Sequence, residues 1–137
     1  MNIFILDACS LLALLNDEDG AIYVESILLG ALSGACEVYM HKVNLLEVYY
    51  GVLRSEGEAA AESFLSELKE SKLKIISHIT DKVFLQAAKL KAKGRISLAD
   101  AILLAQSMVL KASVVTADHH EFDALEGSEN LSFAWFR

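Results

Sequence analysis

Four carboxylates stand where this chain's pattern has a strand ending or a helix beginning: Asp7, Glu47, Asp100 and Asp118. Asp7 closes the apolar run Ile3-Phe4-Ile5-Leu6. Glu47 lies three residues after Asn44 in N-L-L-E-V-Y-Y-G, and Asp100 lies three after Ser97 in S-L-A-D-A. Asp118 follows Ser113–Thr116 in T-A-D. Each has a local explanation. Asn44…Glu47 matches a capping box, and Ser97…Asp100 does so more loosely because Asp is shorter than Glu. Asp7 suits the N-cap of a following helix, and Asp118 suits a turn or a cap for the segment around Glu121–Leu125. Brought together, the four need more than that. Gathered carboxylates repel one another and resist desolvation, and helix dipoles offset only about 0.3–1 kcal/mol each. A divalent cation does much more, and hard oxygen ligands without His or Cys favour Mg²⁺ or Mn²⁺ over zinc.

The elements that would bring them together are legible as alternating patterns. Apolar runs predict strands at Asn2–Leu6, Glu37–Met40, Lys74–Ser77, Ser113–Thr116 and Leu131–Trp135. Helical periodicity covers roughly Ser10–Leu15, Gly20–Leu32, Leu45–Arg54, Glu58–Ser71, Asp81–Lys93 and Leu98–Lys111. Such alternation implies an α/β fold with a mostly parallel sheet. In right-handed strand–helix–strand units, helix N-termini and strand C-termini share one edge, where open sheets bind ligands. All four acids belong there. The segment Leu98–Lys111 is apolar nearly all round and should be buried, whereas Glu58, Glu62, Glu67 and Glu70 read as a solvated face.

The 137 residues fit one domain, 1–137, with no linker, repeat or low-complexity tract. Although 54% of the residues are hydrophobic, charges interrupt every apolar stretch. The longest, Ile3–Leu15, falls short of the ~20 residues a membrane helix needs. No basic segment precedes it, so the expectation is a cytoplasmic chain without a signal peptide and with no membrane association. Cys9 and Cys36 read as two small buried thiols rather than a disulfide. The net charge of −7 argues against a broad electrostatic grip on nucleic acid. It weighs less against an enzyme whose acids hold a metal.

These motifs together resemble the PIN domain family, most closely the toxin halves of VapBC-type toxin–antitoxin modules. The likeness rests on I-F-I-L-D at Ile3–Asp7, N-L-L-E-V-Y-Y-G at Asn44–Gly51, I-S-L-A-D-A at Ile96–Ala101 and V-V-T-A-D-H-H-E-F at Val114–Phe122. It spans essentially the whole chain. It implies a three-layer α/β/α sandwich and metal-dependent cleavage of RNA, with Asp7, Glu47, Asp100 and Asp118 as the family's four acids. Thr116 matches a position that often bears a hydroxyl near the site. Many members have Ser or Thr two residues after the first acid; this chain has Cys9 there, and Ser10 is the candidate substitute. The resemblance also implies a homodimer and a small antitoxin that wraps the toxin.

On this reading the substrate is single-stranded or looped RNA. Asp7, Asp100 and Asp118 hold one or two Mg²⁺ or Mn²⁺ ions, with Glu47 as ligand or water-orienting base. Lys89, Lys91, Lys93 and Arg95 lead into the helix bearing Asp100 and could hold RNA phosphates, though cations also gather at helix C-termini for dipole reasons. His119 and His120 could contact phosphate or form a solvated loop pair. Tyr49 and Tyr50 could stack on bases, or one could pack inward. Two alternatives stay open: an Asp7-nucleophile phosphatase or phosphoacceptor, and a binding protein with an inert acid pocket.

Overall fold

The computed structural model describes residues 1–126 and 130–137. Five strands, β1 (Asn2–Leu6), β2 (Cys36–His41), β3 (Lys74–Ile76), β4 (Ser113–Thr116) and β5 (Ser132–Trp135), form one sheet in the order β3-β2-β1-β4-β5. Every neighbouring pair is parallel, so the expected mostly parallel sheet is parallel throughout. The helices are α1 (Ala8–Leu15), α2 (Ala21–Ser33), α3 (Lys42–Glu56), α4 (Glu58–Glu70), α5 (Asp81–Lys93), α6 (Leu98–Leu110) and the one-turn α7 (His119–Phe122).

Alternation along the strands builds two cores on the two sheet faces. Leu6, Val38, Met40 and Val115 face one way, onto Leu11, Val24, Val48 and Phe64 of α1–α4. Ile5 and Val114 face the other way, onto Val83, Leu90, Leu103 and Leu104 of α5 and α6. The result is the three-layer α/β/α sandwich. As expected, α6 is enclosed: Ala101 to Ser107 are all buried. Among the described residues, no helix is long and apolar enough to cross a membrane.

The strand order puts a topological switch between β1 and β4, because the chain winds outward from β1 through β2 and β3 and then crosses back to its other side. Open α/β sheets bind ligands in the crevice at such a point, beyond the strand C-termini. Asp7 directly follows β1 and Asp118 lies two residues beyond β4.

One boundary departs from expectation in a way that matters. The α3 helix starts at Lys42, and its cap is His41, whose Nδ1 accepts from the Val43 N–H at 3.2 Å. Asn44 is therefore inside the first turn, and the Asn44…Glu47 capping box is corrected. Its side-chain amide donates to Glu47 Oε1 at 3.4 Å instead.

Candidate active site

Asp7 is 5% exposed and held on several sides. It caps α1 through Oδ1, which accepts from the Ser10 N–H at 2.8 Å. The Cys9 thiol lies 3.2 Å from Oδ1 and 3.0 Å from Oδ2, donating to the carboxylate. Burial and the Asp7 charge push the Cys9 thiol up to about 12, so it stays protonated and remains a donor. Burial also raises the Asp7 pKa, against the hydrogen bonds from Thr116, Cys9 and Ser10. The Ser10 hydroxyl is spent on the main-chain oxygen of Asp7 at 2.8 Å. Cys9 thus makes a side-chain contact with the first acid at the position where a hydroxyl was expected.

Thr116 is fully buried at the end of β4. Its Oγ1 accepts from the Asp118 N–H at 3.0 Å and sits 3.7 Å from the Cys9 sulfur, so it ties the β1 and β4 ends together. Asp118 caps α7, accepting from the Glu121 N–H at 3.1 Å. Ser97 caps α6, its hydroxyl accepting from the Asp100 N–H at 3.1 Å. The local cap explanations for Asp7 and Asp118 therefore hold, and Asp100 has its expected Ser97 cap. For Asp7 and Asp100 they coexist with a shared electrostatic environment.

Asp100 reports that environment. Its carboxyl is raised to about 6, chiefly by burial, with the charges of Glu121, Glu47 and Asp7 adding to the rise against the Ser97 hydrogen bond. Acids from α7, α3 and the β1 end thus reach one residue on α6 through space. Glu121 was not anticipated from sequence. Its signal was present, since it lies three residues after Asp118 and so returns to the cap face of the one-turn helix.

The donor set fits a hard divalent cation: every acid offers oxygen, and their mutual repulsion is what such an ion relieves. Among the described residues, however, no three His, Cys, Asp or Glu are gathered closely enough to hold a metal as they stand. The acids share a field without forming a cage.

The other anticipated residues have these places. Lys91 donates to the Ile96 main-chain oxygen at 2.6 Å and braces the turn before α6. Lys93 ends α5, and Arg95 is exposed in the turn that follows. Tyr49 packs against the core whereas Tyr50 is exposed beside Arg54. Both cysteines are free. His119 is no loose loop residue. It stacks on Trp135 with ring centroids 4.0 Å apart, and its nitrogens contact Asp123 Oδ1 at 2.7 Å and the Arg137 main-chain oxygen at 2.8 Å.

The family model for the PIN domain matches residues 4–127. No curated protein matches the chain in sequence. Among solved structures, the chain is similar to VapBC2 from Rickettsia felis bound to a DNA fragment from its promoter. That match has 21% identity and a TM-score of 0.78, covering 97% of this chain and 98% of the other. DNA-bound VapBC from Salmonella typhimurium matches at 14% identity and TM-score 0.76, covering 100% of each chain. VapC20 from Mycobacterium tuberculosis, described as a sarcin–ricin loop cleaving toxin, matches at 16% identity and TM-score 0.66, covering 90% of this chain and 95% of the other.

Proposed function

The chain belongs to the PIN domain family, and from that premise we propose that it is a Mg²⁺- or Mn²⁺-dependent endoribonuclease acting as the toxin of a toxin–antitoxin pair. The observation that carries this reading is Asp100, whose carboxyl is raised to about 6 by burial and by acids on three other elements. Such a site gains most from binding a cation and presenting it to an anionic substrate. The VapC20 neighbour, described as a sarcin–ricin loop cleaving toxin, supports RNA as the substrate class.

Asp7, Asp100 and Asp118 would hold the ion, with Glu47 as a further ligand or as the base that orients the attacking water. A bound Mg²⁺ or Mn²⁺ supplies a water of lowered pKa and polarises the phosphoryl group. Cys9 and the Ser10 N–H fix the Asp7 carboxylate, so its oxygens need little reorganisation. The Asn44 amide holds Glu47 through Oε1 and leaves Oε2 for a water proton. Thr116 keeps the Asp7 and Asp118 turns in register across the switch point.

The same reading includes a small antitoxin partner, self-association as a dimer and a cytoplasmic setting. Exposed apolar side chains on α3 (Leu46, Tyr50, Leu53) and α5 (Phe84, Leu85) support protein partners. The test is RNA cleavage by purified protein with Mg²⁺ or Mn²⁺, with EDTA and Asp7→Asn as controls. Metal-dependent cleavage lost in Asp7→Asn is the expected result. Cleavage unchanged in Asp7→Asn, or unaffected by EDTA, would refute the mechanism.

A further inference from the structure

The chain needs a cation near its acids if RNA is to approach them, yet its net charge is −7. The lysines anticipated for this task lie on α5, and Lys91 is committed to the turn it braces. The structure offers a different one. A cleft of about 450 Å³, bordered by Cys9, Ala117, Asp118, His119 and Arg137, lies between the β1 and β4 turns and has Asp118 in its wall. Its volume is within the range of ligand-sized clefts, roughly 300–1,000 Å³. Arg137 borders it, and its guanidinium is permanently charged and able to grip a phosphate through two N–H groups.

Arg137 does not reach this cleft on a loose tail. β5 pairs along β4 up to Thr116 with Trp135, and the Phe136 N–H donates to the Thr116 oxygen at 3.1 Å. Phe136 is 7% exposed, buried in the core beneath α1 and α2. His119 then pins the strap from above by stacking on Trp135 and by its contact with the Arg137 main-chain oxygen. Trp135 is itself stacked on Phe133 and bonded to Glu126 Oε2 at 2.7 Å. The Arg137 guanidinium is 3.3 Å from Glu18 Oε1, with both side chains 40% exposed. That solvated pair holds the group in place weakly enough to be exchanged for a stronger anion.

We propose that Arg137 binds an RNA backbone phosphate next to the one being cleaved, and so aligns the strand across the acid site. This deepens the ribonuclease reading and rests on it. Asp118 and Cys9 border the same cleft, so a phosphate on Arg137 lies beside the reacting centre and belongs to the same strand. His119 acts as a positioning residue, holding the strap rather than the RNA.

The test measures binding of a fluorescently labelled single-stranded RNA of mixed sequence to the Asp7→Asn protein in Mg²⁺, over a range of salt concentrations. Arg137→Gln should weaken binding about tenfold and lower the slope of log K against log salt by about 0.7, the value for one single-strand phosphate contact. Arg137→Lys should keep the slope. Glu18→Gln, which frees the guanidinium, should tighten binding by about twofold, a gain that misfolding cannot imitate. An Arg137→Gln protein with unchanged affinity and slope overturns the proposal, as does a Glu18→Gln protein that binds more weakly. Cleavage by the otherwise unaltered chain is run alongside. If it cleaves while Arg137→Gln binds normally, only this proposal fails. If it never cleaves while the slope falls as expected, the phosphate contact stands and the ribonuclease reading fails.

Discussion

At the scale of single residues, Asp100 makes the clearest pH prediction. Native Asp100 keeps its proton up to about 6, whereas the ordinary carboxyl value is 3.8. The folded state therefore binds more protons than the unfolded state between those values, and metal-free protein loses stability as pH rises across that window. The loss is complete above it. Urea midpoints of the metal-free chain should fall from about pH 4 to about pH 7 relative to Asp100→Asn, which lacks the titration. A parallel pH dependence in the two proteins would exclude it. Mn²⁺ affinity should change in the opposite sense, increasing through about pH 6 as the carboxyl ionises. The positions of Asp7, Asp100 and Asp118 at a strand end or a cap were legible because such local signatures survive in one dimension. Glu121 and the Cys9 thiol contact were not, because they meet Asp100 and Asp7 through space. The Cys9 role was hidden further by residue type: the rule for that position concerns a hydroxyl, while its geometry requires only a donor.

At the scale of elements, two glycines separate necessity from tolerance. Gly20 precedes α2 at φ +90°, and an added Cβ would lie 2.3 Å from the Phe136 main-chain oxygen. Gly20→Ala should thus cost roughly 2 kcal/mol or more, from backbone strain and from forcing the C-terminal strap outward. Gly51 lies inside α3, where an added Cβ meets nothing within 4 Å. Gly51→Ala should stabilise by about 0.5–1 kcal/mol, since helical alanine carries less entropy cost. Thermal denaturation of both variants checks the contrast, and equal effects would refute the strap's closeness to α2. Element types were read well because periods of two and 3.6 residues are strong here. The start of α3 was misplaced because His41 is an uncommon cap, and Asn44 presented the commoner one. α7 was legible only as a capped short segment, since one turn holds too few residues to show a period.

At the scale of the whole molecule, the acids come from the β1 end, α3, α6 and the β4 end, so a metal that joins them cross-links much of the chain. Mn²⁺ at a hundredfold excess over its Kd should stabilise the fold by about 2.7 kcal/mol. That appears as a Tm rise of a few degrees, reversed by EDTA and absent in Asp100→Asn. A Tm insensitive to Mn²⁺ would count against a metal bridging these elements. The sheet's parallel character followed from strand–helix alternation, but the order β3-β2-β1-β4-β5 did not, because no local pattern specifies which strands become neighbours. That order has a consequence for the chain as it is made. β1 emerges first yet takes the centre of the sheet, and one of its two flanks stays open until β4 arrives more than a hundred residues later. Asp7 therefore waits through more than a hundred residues of synthesis for Asp118. On the ribonuclease reading proposed above, a site assembled this way cannot act on the ribosome or the message producing it until β4 has been made and has paired with β1.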